Sequence, residues 1–257
     1  MLKDYNPINY DKWIIGNEAR EGVNIKRLRI LNELELKIFD ASFSYQDCRD
    51  DPGHGEMSAY FALEFLKYFP GRREIAVPTA ILHDIGWFGN DPQAWKNAVK
   101  ENKNDLQSLE TEMKRRPHQN RGIFLATQIL NSVGYFEKYP LKNGLEIADI
   151  IGDHDTRKLP ANEEGKNVRF ADFLWRPTFP CLQIFFPKES EDELVNIVER
   201  TCLYEPKSPL EGVAFEIAKI ELANTIFFRF GEKKAEKVLK KDYFPEFKKV
   251  KEFYFQL

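Results

Sequence analysis

The chain lacks the features that mark membrane-spanning, secreted and nucleic-acid-binding proteins. No stretch of about 18 consecutive apolar residues occurs, which excludes an ordinary transmembrane helix. The first residues lack the apolar core of a signal peptide. The net charge of −3 by itself neither favours nor excludes nucleic-acid binding, but no long basic stripe is present. We therefore expect neither a membrane nor a nucleic acid as a partner.

Cysteine is scarce as well. Cys48, Cys181 and Cys202 are odd in number and widely spaced, which excludes a disulfide framework and a cysteine-based metal site. A reduced environment is the simplest interpretation, and together with the absent signal and membrane segments it leads us to expect a cytoplasmic protein.

Core material, by contrast, is plentiful, with 257 residues that include 21 phenylalanines. Apolar residues recur at helical spacing along most of the chain, so we predict an all-α fold. The expected helices cover 25–43, 55–69, 74–84, 118–133, 145–151, 168–175 and 208–230, with one or two more in 232–257. A Ser190–Glu193 capping box predicts another helix start. The proline-bounded segment 178–187 is expected to be a short strand or an extended packing segment.

Two segments leave alternatives open. Residues 89–117 are polar, with a narrow apolar stripe, and are either a solvated helix or a lid over a pocket. The Phe-rich residues 179–186 are either core or a dimer patch, and we favour core. The oligomeric state is accordingly monomer or homodimer.

Histidine is the residue whose scarcity is most informative. The chain holds only four: His54, His83, His118 and His154. Each falls at the start or the end of a different apolar-periodic segment. In the stretch Ala80–Gly86 an apolar run ends in His83-Asp84, which can point an imidazole and a carboxylate into a pocket. These two ligand types suit divalent metals such as iron, manganese, zinc or magnesium.

One aspartate, Asp172, lies inside the apolar stretch 170–175. A buried carboxylate needs a partner, and a metal ion is one of the few that suffice.

The order His54, His83-Asp84, His118, His154, Asp172 resembles the motif of the HD-domain superfamily of metal-dependent phosphohydrolases. The motif spans about residues 50–180, and every histidine of the chain belongs to it. The resemblance implies a helical bundle formed by one domain over 1–257, with a C-terminal helical extension over about 188–257. It also implies that His54, His83, Asp84 and Asp172 hold one ion. Asp172 fits the late aspartate of the motif by its position, and we favour it over Asp153 and Asp155 because those two neighbour a loop.

The same resemblance implies that His118 and His154 hold a second ion, bridged to the first by Asp84. One or two divalent ions are expected, with Fe, Mn, Zn, Ni and Mg not distinguished. A metal-activated water would hydrolyse a small phosphorylated molecule, with a nucleotide favoured. HD-domain oxygenases of the inositol and phosphonate type use the same ligand order for a diiron pair, so a diiron oxygenase is the alternative. A non-catalytic metal-stabilised protein is a third class.

Several cations lie close to the expected ligands in sequence and suit an anionic substrate. Besides Asp84, we expect catalytic roles for Arg157 and Lys158, and substrate-binding roles for Arg49 and Arg121. Many binuclear phosphodiesterases of the superfamily carry a lysine directly after His-Asp-Ile-Gly, whereas this chain has Trp87. An indole can stack on a planar group or wall off a pocket, so we expect Trp87 to bind substrate and the second-messenger phosphodiesterase branch to be disfavoured.

Overall fold

The computed structural model of the chain describes residues 2, 4–13, 25–46, 48, 51–89, 109–155, 160, 162–204 and 208–255. Within these ranges every regular element is a helix, which confirms the all-α class. The α-helices are α1 (Tyr10–Trp13), α2 (Ile25–Leu28), α3 (Glu33–Ser42), α4 (His54–Phe65), α5 (Arg73–Leu82), α6 (Leu109–Ser132), α7 (Tyr135–Lys138), α8 (Leu141–Asp153), α9 (Glu163–Phe173), α10 (Phe179–Phe185), α11 (Glu191–Val198), α12 (Gly212–Phe230), α13 (Glu232–Leu239) and α14 (Phe244–Phe255). Short 3₁₀ turns cover Phe43–Tyr45 and Ile85–Trp87, and a π-helical turn covers Glu199–Leu203.

Helix α5 lies at the centre of the helical assembly. It contacts α3, α4, α8 and α9, and every residue from Ile75 to Leu82 is buried. Burial on all sides explains why its sequence is apolar around the whole circumference. Pro78 has no N–H for the carbonyl of Glu74, and the Tyr135 hydroxyl donates to that oxygen instead, at 2.7 Å. A fully buried α5 fixes the position of the residues that follow it.

The turn Ile85–Trp87 lies directly against α6. A Cβ on Gly86 would fall 1.8 Å from the carbonyl oxygen of His118 and 2.5 Å from the backbone nitrogen of Gly122. Only glycine permits so close an approach of two backbones. This contact sets the distance between the end of α5 and His118.

The single helix predicted over 25–43 is broken into α2 and α3. Arg29 has a φ of 53°, which ends α2. Asn32 then begins α3 through a capping box with Glu35, whose backbone N–H it accepts and whose side chain accepts the N–H of Asn32. Helical spacing persists on both sides of the break, so periodicity alone did not reveal it.

The prediction of a strand or extended segment over 178–187 is wrong, because Phe179–Phe185 form helix α10. Pro180 lies in its first turn, where a missing N–H costs nothing. Phe179 and Ile184 are buried, while Phe185 is 45% exposed. A short apolar run does not distinguish strand from helix by periodicity, and proline was as compatible with a helix start as with a strand boundary.

His118 was expected to open a helix after Pro117, but α6 begins at Leu109 and continues through Pro117. The proline removes one hydrogen bond from the helix. Packing of α6 against α8 and against the turn Ile85–Trp87 stabilises the helix beyond that point. Of the segment 89–117, residues 90–108 lie outside the described part of the chain, so the choice between lid and solvated helix is not tested.

The N-terminal segment is attached to α12 through the buried carboxylate of Glu221. Its Oε1 accepts from the Tyr5 hydroxyl at 2.6 Å and from the backbone N–H of Ile8 at 3.0 Å. Its Oε2 accepts from the Tyr10 hydroxyl and from Asn224 Nδ2, both at 2.9 Å. Burial raises the pKa of Glu221, and these four hydrogen bonds offset part of the shift.

Buried apolar side chains form one hydrophobic cluster that extends from the N-terminal segment to α14.

The predicted capping box is confirmed, since Ser190 and Glu193 exchange both hydrogen bonds at the start of α11. None of the helices in the described ranges combines the length and the hydrophobicity needed to cross a bilayer.

Candidate metal centre

Four different helices bring the histidines together. His54 is the first residue of α4, His83 directly follows α5, His118 lies within α6 and His154 directly follows α8. All four side chains are buried. Asp172 projects from the last turn of α9, which packs on both α4 and α5.

The turn before α4 aims His54 at the centre. Gly53 adopts a left-handed φ of 92°, a conformation that glycine adopts without strain. The backbone N–H of His54 donates to the carbonyl of Asp51 at 3.1 Å. The carboxylate of Asp51 also lies 3.2 Å from Nδ1 of His54, which leaves Nε2 facing the other ligands.

The first half of the centre consists of His54, His83, Asp172 and one oxygen of Asp84. Nε2 of His54 lies 3.0 Å from Asp172 Oδ1 and 3.2 Å from Nε2 of His83. Asp84 Oδ2 lies 3.5 Å from Nε2 of His83 and 3.9 Å from Nε2 of His54. The four ligand atoms all lie within 4.8 Å of one another, which is the spacing of donors around a single ion.

The second half consists of His118, His154 and the other oxygen of Asp84. Asp84 Oδ1 lies 3.3 Å from Nε2 of His154 and 3.8 Å from Nε2 of His118. These three ligand atoms also lie within 4.8 Å of one another. Since each oxygen of Asp84 faces a different half, this carboxylate has the geometry of a bridge between two ions.

Backbone carbonyls fix the tautomers of two of the imidazoles. Nδ1 of His83 and Nδ1 of His154 each lie within hydrogen-bond distance of the carbonyl three residues earlier, at 2.9 Å and 2.8 Å. A carbonyl only accepts, so Nδ1 carries the proton and the lone pair of the neutral ring lies on Nε2. Both Nε2 atoms face the centre.

This arrangement fits a cation. In the first half, Nε2 of His54 and Nε2 of His83, which can both offer lone pairs, face each other at 3.2 Å beside two carboxylates. Lone pairs and negative charges at these distances repel one another unless a positive charge lies among them. Imidazole nitrogen and carboxylate oxygen together suit iron, manganese, zinc and nickel, so the residues present fit the expected divalent ions without selecting one.

The pKa shifts have the same electrostatic origin. Burial opposes ionisation of Asp172, yet hydrogen bonds and charge from His54 and His83 hold the pKa of its carboxyl well below the usual range. Burial alone would lower the pKa of His154, but the carboxylates of Asp155, Asp84 and Asp172 outweigh it and raise the pKa to about 9. The centre therefore attracts positive charge.

Trp87 holds two of the ligands. Its ring stacks on His118, with centroids 4.1 Å apart and planes inclined by 13°. Its Nε1–H donates to Asp84 Oδ1 at 3.2 Å. The side chain is only 3% exposed, so the ring face against His118 is covered, while another part of Trp87 lines a cleft. The sequence did not predict that this residue orients metal ligands.

The cleft borders the first half and measures about 300 Å³, including its open mouth. Its lining residues are Gln46, Cys48, Asp51, His54, Gly55, Ile81, His83, Asp84, Ile85 and Trp87. The loop before α4 and the end of α5 thus enclose the side from which a small molecule can reach the ligands.

The predicted cations are only partly described. Arg49, Arg157 and Lys158 lie outside the described residues, so their placement is not tested. Arg121 is exposed on α6, and its guanidinium donates to the carbonyl of Phe88 at 2.5 Å. It therefore steadies the backbone that follows Trp87, at the outer side of the turn.

Sequence reasoning missed one residue beside the centre. Asp155 Oδ2 lies 3.4 Å from Nε2 of His118 and 3.6 Å from Nε2 of His154. Its signal was present, since His154-Asp155 repeats the dipeptide His83-Asp84. We discounted Asp155 because it neighbours a loop, but it directly follows His154 at the rigid end of α8.

Comparisons of the chain with protein-family models, with curated proteins and with solved structures found no match.

Proposed function

We propose that the protein is a metal-dependent phosphohydrolase of the HD-domain type, acting on a small phosphorylated molecule. The observation that carries the proposal is the position of Asp84, whose two oxygens each face one pair of histidines. The six residues occur in the order of the HD motif, and the helical fold agrees with it. The proposal rests on this ligand set and its geometry alone.

Divalent ions, when bound at the two halves, lower the pKa of a coordinated water toward neutrality and offset phosphate charge. The chain's own contribution is preorganisation. Asp84 keeps the two halves at a fixed spacing, and the carbonyl acceptors behind His83 and His154 keep their Nε2 lone pairs on the centre. Trp87 holds Asp84 by a hydrogen bond and shields one face of His118 from water.

The substrate would enter through the cleft beside the first half. The cleft is lined by His54, His83 and Asp84, so a molecule bound there would lie against these candidate ligands. Arg157 and Lys158, which follow His154 in the sequence, and Arg49, which precedes His54, would meet the phosphate. Trp87 lines the cleft and would contact an apolar or planar part of the same molecule.

Phosphate release is the direct test. Purified protein is loaded with manganese, ferrous iron or magnesium and offered a panel of nucleotides and sugar phosphates. We expect release from at least one of them, and a rate lower by about 100-fold or more in Asp84→Asn, the scale at which loss of one charge-stabilising group acts. Asp153→Asn, which changes the last residue of α8, is the matched control and should keep the wild-type rate.

An oxygen electrode distinguishes the rival chemistry. The same six ligands suit a diiron pair. Oxygen uptake with a diol or a phosphonate would support the oxygenase instead of the hydrolase, if the same protein releases no phosphate from any ester of the panel.

A further inference from the structure

We propose that Asp155 is a seventh ligand of the centre and completes its second half. Each half would then hold one ion with two imidazoles, one terminal carboxylate and one oxygen of Asp84. The inference rests on the metal-binding part of the proposed function and is independent of the reaction. The six-residue motif does not include Asp155.

The distances in the two halves correspond. In the first half, Asp172 Oδ1 lies 3.0 Å from Nε2 of His54 and 3.6 Å from Nε2 of His83. In the second half, Asp155 Oδ2 lies 3.4 Å from Nε2 of His118 and 3.6 Å from Nε2 of His154. A carboxylate oxygen thus stands at nearly the same distance from a pair of imidazole nitrogens in both.

The lone pair of His154 gives the second argument. Its Nδ1 donates to a backbone carbonyl, so Nε2 carries the lone pair of the neutral ring. That nitrogen lies 3.3 Å from Asp84 Oδ1 and 3.6 Å from Asp155 Oδ2. Nε2 and two carboxylate oxygens thus converge on one region, and a metal ion bound there would be attracted by all three.

Accessibility and position agree with this role. The side chain of Asp155 is 24% exposed, close to the 23% of Asp172 and the 18% of Asp84. All three carboxylates are therefore enclosed to a similar degree and remain open to an incoming ion. Asp155 also follows its histidine directly at the end of α8, as Asp84 follows His83 after α5.

The donor set would be the same in both halves. Two imidazole nitrogens with two carboxylate oxygens suit the same divalent ions at both, manganese and iron among them. The additional negative charge also strengthens binding of a second ion close to the first, where repulsion between the two ions opposes it. The second half is thus equipped to hold its ion without a contribution from substrate.

Manganese titration tests the assignment. Calorimetry and elemental analysis are performed on the wild type, Asp155→Asn and Asp153→Asn. We expect the wild type and Asp153→Asn to bind two ions. Asp155→Asn should bind the first ion with unchanged affinity and the second at least about tenfold more weakly. Electron paramagnetic resonance should show two coupled manganese ions in the wild type and an isolated ion in Asp155→Asn.

Equal affinity for the second ion in the wild type and Asp155→Asn would overturn the assignment, as would a wild type that binds only one ion. If Asp155→Asn also loses the first ion, the variant has misfolded, and Asp155→Glu decides. Recovery of the second ion by glutamate supports a carboxylate ligand, and no recovery contradicts it. Two ions in the wild type against one in Asp155→Asn support the assignment whether or not phosphate is released.

Discussion

Glu221 and Asp172 are carboxylates enclosed by the same helical assembly, yet their neighbours differ. Glu221 is surrounded by neutral donors, namely two tyrosine hydroxyls, one backbone N–H and one side-chain amide. Asp172 faces Nε2 of His54 and Nε2 of His83, which can carry a positive charge or offer lone pairs to an ion. The first carboxylate is satisfied by neutral donors, while the second lies among groups that can share a cation with it.

The two pKa shifts reflect this difference. Burial raises the pKa of Glu221, since neutral donors only partly compensate for lost hydration. Burial also opposes ionisation of Asp172, but histidines can carry positive charge, and they lower the pKa of that carboxyl. A buried carboxylate is thus a candidate ligand when its neighbours can be cationic or present lone pairs, and a structural group when they donate.

The largest expected effect is the loss of metal in Asp84→Ala. Both halves lose a ligand at once, so we expect affinity for each ion to fall by more than about 100-fold, beyond the range seen for residues that only support a ligand. Elemental analysis after gel filtration measures it. Glu221→Ala, which leaves the centre intact, should retain the wild-type metal content. Equal metal in wild type and Asp84→Ala would contradict the bridge.

Glu221→Ala should instead destabilise the fold. Four buried donors lose their acceptor, so we expect the free energy of unfolding to fall by about 3 kcal/mol or more. Urea denaturation measures the change. Glu216→Ala on the same helix is the control, because Glu216 is 35% exposed and makes only a 3.7 Å surface pair with Lys219. A similar loss in both variants would show that the donor network is not the cause.

Removal of metal should have an intermediate effect on stability. With free metal at about 100 times Kd, the bound ion contributes about 2.7 kcal/mol, which chelation abolishes. None of the four hydrogen bonds of Glu221 described above involves a residue of the centre, so chelation should lower the stability of wild type and Glu221→Ala by the same amount. Thermal denaturation with and without chelator measures both. If chelation lowers the stability of the wild type but not that of Glu221→Ala, the two regions are coupled.

Trp87→Phe should produce a smaller change at the centre. Phenylalanine preserves a ring against His118 and removes the N–H donated to Asp84. We expect metal affinity to fall by about fivefold, since one such hydrogen bond is worth about 1 kcal/mol. Calorimetric titration detects this, with Trp87→Ala as the variant that loses both contacts. Unchanged affinity together with a raised KM would assign Trp87 to substrate stacking alone.

The smallest expected effect is a pH dependence of stability at Glu221. Its pKa in the folded protein is raised by burial above the ordinary 4.5. The folded state therefore binds a proton at a higher pH than the unfolded chain does, and this stabilisation is lost as pH rises through the folded pKa. As pH falls from neutrality toward 4.5, the unfolding free energy of the wild type should improve relative to Glu221→Gln. Urea denaturation measures both free energies, and a difference between wild type and Glu221→Gln that does not change with pH would contradict the raised pKa.

The sequence predicted the helical class, because helical periodicity is a local pattern. The resemblance to the HD motif named the six residues that the fold brings together as candidate ligands. The sequence did not predict the break at Arg29–Asn32 or helix α10, where capping and a short apolar run are ambiguous without tertiary contacts. Asp155 and the orientation of Trp87 were missed for another reason. Asp155 had a local signal, the repeated His-Asp dipeptide, but its closeness to His118 depends on the packing of α6 against α8. The orientation of Trp87 depends on the packing of its turn against α6, and no local pattern contains that information.

The contact at Gly86 has a consequence for how this centre can change. Its backbone lies against His118 and Gly122, and even one methyl group would have to displace α6. Gly86→Ala would therefore separate His118 from Asp84 while leaving His54, His83 and Asp172 on α4, α5 and α9 where they are. For the proposed two-ion centre, this single small substitution would be a mutational route to binding of one ion, simpler than the replacement of two histidines.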